Sequence, residues 1–267
     1  MQILIREGSV ARNLDVLLPL ITIQNAPFLC FCTDDRNPMD IAQAGHLDYM
    51  IAHAIASGAD PLAVYRVACY SPAIHFGLAG RGLIAPGYLA DIVLLSDLKG
   101  CKVKTVLKNG EIVNDALFAA RGTPPAPSAF LNSVKRKNVS AESFKVVSKK
   151  AKTPVIGIVE LSLTTEHLEL KLPFDGCEKK CAPELDIAKV AVLERHGKNG
   201  NIGLGFVKGF GLKSGAIASS VGHDSHNLCV VGVSDEDMAL AANALIASHG
   251  GFVVVKDGKV IDLMPLP

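Results

Sequence analysis

Phe28-Leu-Cys-Phe-Cys-Thr-Asp34-Asp35-Arg36-Asn-Pro38 is an apolar run that ends abruptly in two adjacent acids. Residues 28–33 have the length and β-enrichment of a buried strand, and the acid pair, Arg36 and Pro38 mark its change into a loop. A carboxylate at the carboxyl end of such a strand is where barrel enzymes hold catalytic groups. Alternation puts Cys30 and Cys32 on one face of the strand, which argues against a bridge between them and for reduced thiols among the seven cysteines.

Upstream, residues 1–5 read as a short strand, and Ser9 as the cap of a helix with apolar positions at Val10, Leu14, Leu17, Leu18 and Ile21. Downstream, Ile41, Leu47, Met50, Ile51, Ala54 and Ile55 trace one helical stripe. Asp60-Pro61 and Ser71-Pro72 each join a cap to a proline at the first helical position, so three helices are predicted. After a glycine-rich turn near Gly80, residues 90–95 and 102–108 read as strands, and Asn109-Gly110 is a type I′ hairpin signal leading into residues 111–113.

From Thr123 to Lys152 the composition shifts to Pro124, Pro125, Pro127, serines and the basic runs Lys135-Arg136-Lys137 and Lys149-Lys150, which predicts a surface linker. Strands are expected at 155–159, 167–171 and 187–194. A helix is expected after Ser234, with Asp237 at the capping-box position and Gly250-Gly251 at its end. Residues 252–255 should then pair with 260–263 across Asp257-Gly258. Those elements make an α+β domain of common size.

Hydrophobic residues at 49%, charged residues at 20% and a formal net charge of +1 supply core material and no electrostatic case for nucleic acid or a membrane surface. The basic run near Lys135 lacks the interleaved aromatics of a base-stacking surface. Arg6 and Glu7 interrupt the first apolar patch, so it does not read as a signal peptide, and no run approaches the length of a membrane span. A cytoplasmic protein is expected.

Gly80-Arg-Gly-Leu-Ile-Ala-Pro-Gly-Tyr-Leu-Ala-Asp-Ile-Val-Leu-Leu95, read with the acid-ended strand, resembles the amidohydrolase superfamily. Three further blocks narrow this to a resemblance to the adenine deaminase family: Ile202-Gly-Leu-Gly-Phe-Val-Lys-Gly-Phe-Gly-Leu-Lys213, Gly215-Ala-Ile-Ala-Ser-Ser-Val-Gly-His-Asp-Ser-His-Asn227 and Ser234-Asp-Glu-Asp-Met-Ala-Leu240. The fold implied is α/β plus α+β. Residues 1–79 would be the last strands and helices of an incomplete TIM-like (β/α)8 barrel, and 80–122 part of a small flanking β-sandwich. Residues 123–153 would be a linker and 154–267 the carboxyl-terminal α+β domain. A whole barrel needs about 250 residues, and the His-x-His pair that the family carries after its first strand is absent from the sequence. The chain is therefore expected to be a carboxyl-terminal portion, inactive alone, with a homo-oligomeric partner or the remaining barrel segment as its complement.

The resemblance implies hydrolysis of adenine to hypoxanthine and ammonia in purine salvage, with a divalent metal, manganese or iron with zinc as the alternative, whose other ligands lie outside this chain. Asp34 is implied as metal ligand and proton shuttle, and Asp35 as an acceptor for the purine edge. A carboxylate that touches a metal and its water suits proton transfer. His223 and His226, in His223-Asp224-Ser225-His226-Asn227, are candidate substrate contacts, against the alternative of a polar turn satisfied by backbone carbonyls. The competing class is a non-catalytic remnant or an assembly and regulatory module. Gly203-Leu-Gly205 is no dinucleotide fingerprint, because position 208 is lysine. Cys177 and Cys181 lack the second pair that a zinc site needs. The remaining histidines, His46 among them, read as packing or surface residues.

Overall fold

A computed structural model describes residues 1–122, 133–160, 162, 164–222 and 225–266. It is a mixed α/β structure of two compact units: of the described residues, the first holds 1–122 and 162 and the second 133–160, 164–222 and 225–266.

In the first unit β1 (Ile3–Arg6) pairs in parallel with β2 (Leu29–Cys32), placing Arg6 opposite Cys32. Parallel pairing needs a crossover, which here contains α1 (Leu14–Leu17) and two short 3-10 turns. The helix expected from Ser9 starts later. Glu7, 6% exposed, needs a donor for its carboxylate and takes the backbone N–H of Leu14 at 3.3 Å, while Gly8 N–H donates to Ala11. The Ser9 hydroxyl instead accepts from the Asn37 N–H at 2.8 Å.

The single stripe expected after the acid pair is two helices. α2 (Pro38–Ala44) is capped by Asn37, whose side chain accepts from Asp40 N–H. Gly45, at φ 97°, breaks the run before α3 (Leu47–Ala56), which buries Met50, Ile51, Ala54 and Ile55. Asp60 caps α4 (Pro61–Tyr65) as expected, accepting from Ala63 N–H at 3.0 Å. Ser71 does not cap. The helix runs on through a π turn, Arg66–Tyr70, into α5 (Ser71–His75), and the buried Ser71 hydroxyl donates to Ala26 C=O at 2.6 Å. The wider turn accommodates Pro72, which has no N–H to donate. Ile5, Leu14, Leu29, Phe31, Met50 and Val64 form the core of this unit.

The hairpin region reads as expected. β3 (Ile92–Asp97), β4 (Lys102–Lys108) and β5 (Glu111–Ile112) form an antiparallel sheet, and Asn109 and Gly110, at φ 51° and 84°, make its I′ turn. Asp91 joins this sheet to the Gly80 loop by binding Lys108 Nζ at 2.6 Å, Asn109 N–H at 2.9 Å and Arg81. Lys108 above all, with Asn109 N–H, holds its carboxyl below the usual range. α6 (Asp115–Arg121) follows.

The second unit is an eight-stranded sheet built from β6 (Thr153–Gly157), β7 (Glu166–Leu170), β8 (Ile187–Leu193), β9 (Ile202–Lys208), β10 (Ala216–Ser219), β11 (Leu228–Gly232), β12 (Gly251–Lys256) and β13 (Lys259–Pro265). Its order is β13-β12-β10-β11-β8-β9-β6-β7, with β6 and β9 parallel and every other pair antiparallel. β10 and β11, central in the sheet, were not expected. α7 (Asp235–Ala247), capped by the Ser234 hydroxyl, packs Met238, Ala241, Ala242 and Leu245 on the inward residues of β8 and β10–β12. Asp237 does not complete a capping box. It lies buried and accepts from Gly258 N–H at 2.9 Å in the Asp257-Gly258 turn.

Of the expected linker, residues 123–132 lie outside the described residues, residues 133–146 are anchored to this unit, and residues 147–152 are largely exposed. Phe144 is fully buried beside Ala191, Leu193 and Leu245, and the Val139 backbone exchanges two 2.9 Å hydrogen bonds with the Asn243 side chain. Arg136 donates to the carbonyls of Glu194, Gly200 and Asn201. The basic run thus anchors a segment, through one arginine that satisfies loop carbonyls.

Candidate active site

Parallel pairing brings the carboxyl ends of β1 and β2 side by side, and each strand ends in charge. β1 delivers Arg6 and Glu7, and β2 delivers Thr33, Asp34 and Asp35. Arg6 Nη2 lies 3.3 Å from Asp34 Oδ1 and 3.1 Å from Asp35 Oδ1, so one guanidinium spans both acids. The carboxylates are presented unequally: the Asp34 side chain is 44% exposed and that of Asp35 is 14%. Asp34 adopts φ 51°, the left-handed conformation that aspartate tolerates better than most residues, so consecutive side chains leave the strand in new directions.

Gly8 admits the inner acid. A Cβ at that position would lie 1.7 Å from Asp35 Oδ1. On the other side, Thr33 Oγ1 and His46 Nε2 are 2.9 Å apart, which holds the start of α3 against the strand end. Arg36 donates from Nε to Gly45 C=O at 2.8 Å and lies over the Tyr49 ring. The loop after the acids is thereby tied at three points.

Asp34 is a hard oxygen donor in a partly open position, which suits one position in the coordination sphere of a divalent ion. Among the described residues no three His, Cys, Asp or Glu side chains converge as a metal site. The chain thus fits such an ion as the source of one ligand. The seven cysteines are free thiols, and Cys181, whose thiol burial pushes up, donates to Gly232 C=O at 3.6 Å.

His226 belongs to the second unit, at φ 48° in a turn where its N–H donates to Gly222 C=O and its own C=O accepts from Arg195 at 2.8 Å. His223 and Asp224 lie outside the described residues. Arg6, Gly8 and His46 were missed by sequence reasoning. Arg6 carried a usable signal, since a strand parallel to the acid-ended one must finish beside it, but its charge counted only against a signal peptide. Gly8 carried none, because its role depends on a contact with a residue 27 positions away.

The Amidohydrolase family model matches residues 7–113, and the Adenine deaminase C-terminal domain model matches residues 162–267. The first unit therefore has the sequence of an amidohydrolase, a family that generally uses divalent metal ions. Adenine deaminase 1 of Agrobacterium fabrum is 57% identical over 267 residues, covering all of this chain and 46% of that protein. The adenine deaminase of Brucella suis is 56% identical over 269 residues with the same coverage, and that of Sinorhizobium fredii 55% identical, with 47% of its length covered. Over its whole length the chain is similar to these adenine deaminases, with an amidohydrolase segment followed by an adenine deaminase carboxyl-terminal domain, and it spans about half the length of the curated relatives it matches. Among the described residues no helix is long and apolar enough to cross a membrane.

Proposed function

We propose that the chain supplies the last strands of the catalytic barrel and the carboxyl-terminal domain of a metal-dependent adenine deaminase, an enzyme that converts adenine and water to hypoxanthine and ammonia in purine salvage. The supporting observation is the acid pair at the shared carboxyl edge of two parallel strands, inside a segment matched to the amidohydrolases. In this reading β1 and β2 are the last two strands of a TIM-like barrel, where catalytic groups sit at the carboxyl face. β3–β5 are part of a flanking sandwich. The open edges of that small sheet call for a partner, either the remaining barrel and sandwich segment or a second copy of the chain. The enzyme is proposed to work in the cytoplasm.

Bound manganese or iron, or zinc as the alternative, would supply a water acidic enough to attack carbon near neutral pH. Asp34, the more exposed acid, is the residue that would hold that ion and carry a proton from the attacking water toward the purine nitrogen and the leaving ammonia. Asp35, drawn inward, would orient the purine edge. His223 and His226 remain proposed substrate contacts of the second domain. The matches favour this reading over a non-catalytic remnant.

The test joins this chain to the preceding sequence of its Agrobacterium fabrum relative. The joined protein, loaded with manganese, is expected to release ammonia from adenine, and the 267-residue chain alone to release none above buffer. In the joined protein Asp34→Asn should lower turnover by about 10²–10⁴-fold through lost proton transfer alone, with less metal bound. Asp35→Asn should mainly raise KM with metal retained. Metal lost from the Asp35 variant but kept, with near-normal turnover, in the Asp34 variant would reverse the two roles.

A further inference from the structure

We propose that Arg6 is a positioning residue for the acid pair and that Gly8 provides the space in which the pair is held; the inference rests on the reading of Asp34 as the residue that holds metal and carries the proton. Two independent observations carry it. One guanidinium nitrogen lies within 3.3 Å of both Asp34 Oδ1 and Asp35 Oδ1, reaching them from the neighbouring strand. Separately, the Asp35 carboxylate occupies the volume that a side chain at position 8 would fill, 1.7 Å from a Cβ built there.

Adjacent carboxylates repel, and each has rotamers that would separate them. A cation placed between them offsets that repulsion and fixes the direction of one oxygen on each. With Oδ1 of Asp34 turned toward Arg6, the second oxygen is the one that would hold an ion. The left-handed backbone at Asp34 is a conformation that persists when the surroundings over-determine it, and Arg6, Gly8 and the Thr33–His46 contact are those surroundings. Arg6 does not meet the reacting atoms. It acts through Asp34, and the rigid fork of a guanidinium is not reproduced by an ammonium. Substitution should therefore misdirect the carboxylate, which lowers turnover more than substrate binding.

The joined protein described above serves for the test. Arg6→Ala should lower kcat about a hundredfold through misplacement, with KM within about threefold of the parent and metal content unchanged. Arg6→Lys should recover only a small part, and added guanidinium should restore part of the Arg6→Ala turnover. Gly8→Ala, which removes no charge, should also lower kcat with metal retained, and it decides the matter if Arg6→Ala does not fold. Variants with parental kcat, or with kcat lost only in proportion to metal or folded protein, would overturn the inference while an inactive, metal-poor Asp34→Asn left the reading of Asp34 standing. Asp34→Asn with full metal and full turnover would instead refute that reading.

Discussion

Lys189 is 2% exposed, lies on the inward face of β8, and donates to Asp235 Oδ1 at 2.5 Å. The two ends of this bridge are not equivalent. Asp235 is 16% exposed and is the first residue of α7, where a helix N-terminus favours negative charge. Asp235→Asn leaves a desolvated ammonium with its countercharge removed, at a cost of about 3–5 kcal/mol. Lys189→Met keeps the side-chain volume and leaves the carboxylate against the helix terminus and some solvent. With the dipole offsetting up to about 2 kcal/mol in such a position, that change should cost only about 1–3 kcal/mol. Replacing both residues by apolar groups should cost less than Asp235→Asn alone, a non-additive cycle. Urea unfolding followed by circular dichroism, with unchanged slopes, measures all three variants. Equal costs for the single variants, a larger cost for Lys189→Met, or simple additivity would refute the reasoning.

Two further outcomes test the fold. Phe144→Ala should destabilise the second unit by about 3–5 kcal/mol, measured as a shift in its urea midpoint, whereas a residue in a free linker would change it by less than about 0.5 kcal/mol. Asp91 has a folded-state pKa lowered from 3.8, chiefly by Lys108. Its contribution is therefore present above that value and is lost as pH falls through the folded pKa. The gap in stability between the parent and Asp91→Asn should be full at pH 7 and shrink below about pH 4. A gap constant with pH would assign the effect to shape and not to charge.

Features legible in the sequence were those whose chemistry is local. Asp60 before Pro61, Ser234 before α7, and the Asn109-Gly110 and Asp257-Gly258 turns each state a backbone requirement within four residues, and the structure meets them. Ser71-Pro72 carried the same signal and misled, because a π turn and a long-range bond to Ala26 decided the matter. Phe144 lies in the stretch that composition assigned to a surface linker; its burial depends on strands 47 or more residues later. β10 has only four residues, three of them small, and acquires its identity from β11 and β12 on either side. At the candidate site the two acids were visible as a strand ending. The arginine and glycine that hold them were not, since both act across the strand pair.

The bond from Gly258 N–H to Asp237 makes the β12–β13 hairpin and the first turn of α7 one opening unit. A carboxylate only 6% exposed loses its donor if that turn departs, at a cost of about 1–3 kcal/mol beyond the ladder bonds themselves. An edge strand would ordinarily be among the first segments to exchange its amide hydrogens with solvent, yet here shedding it together with its turn also strips a buried acid in the first turn of α7. Amides of β13 that bond to β12 should therefore exchange at rates set by release of the helix and hairpin together, and not by fraying from the edge inward.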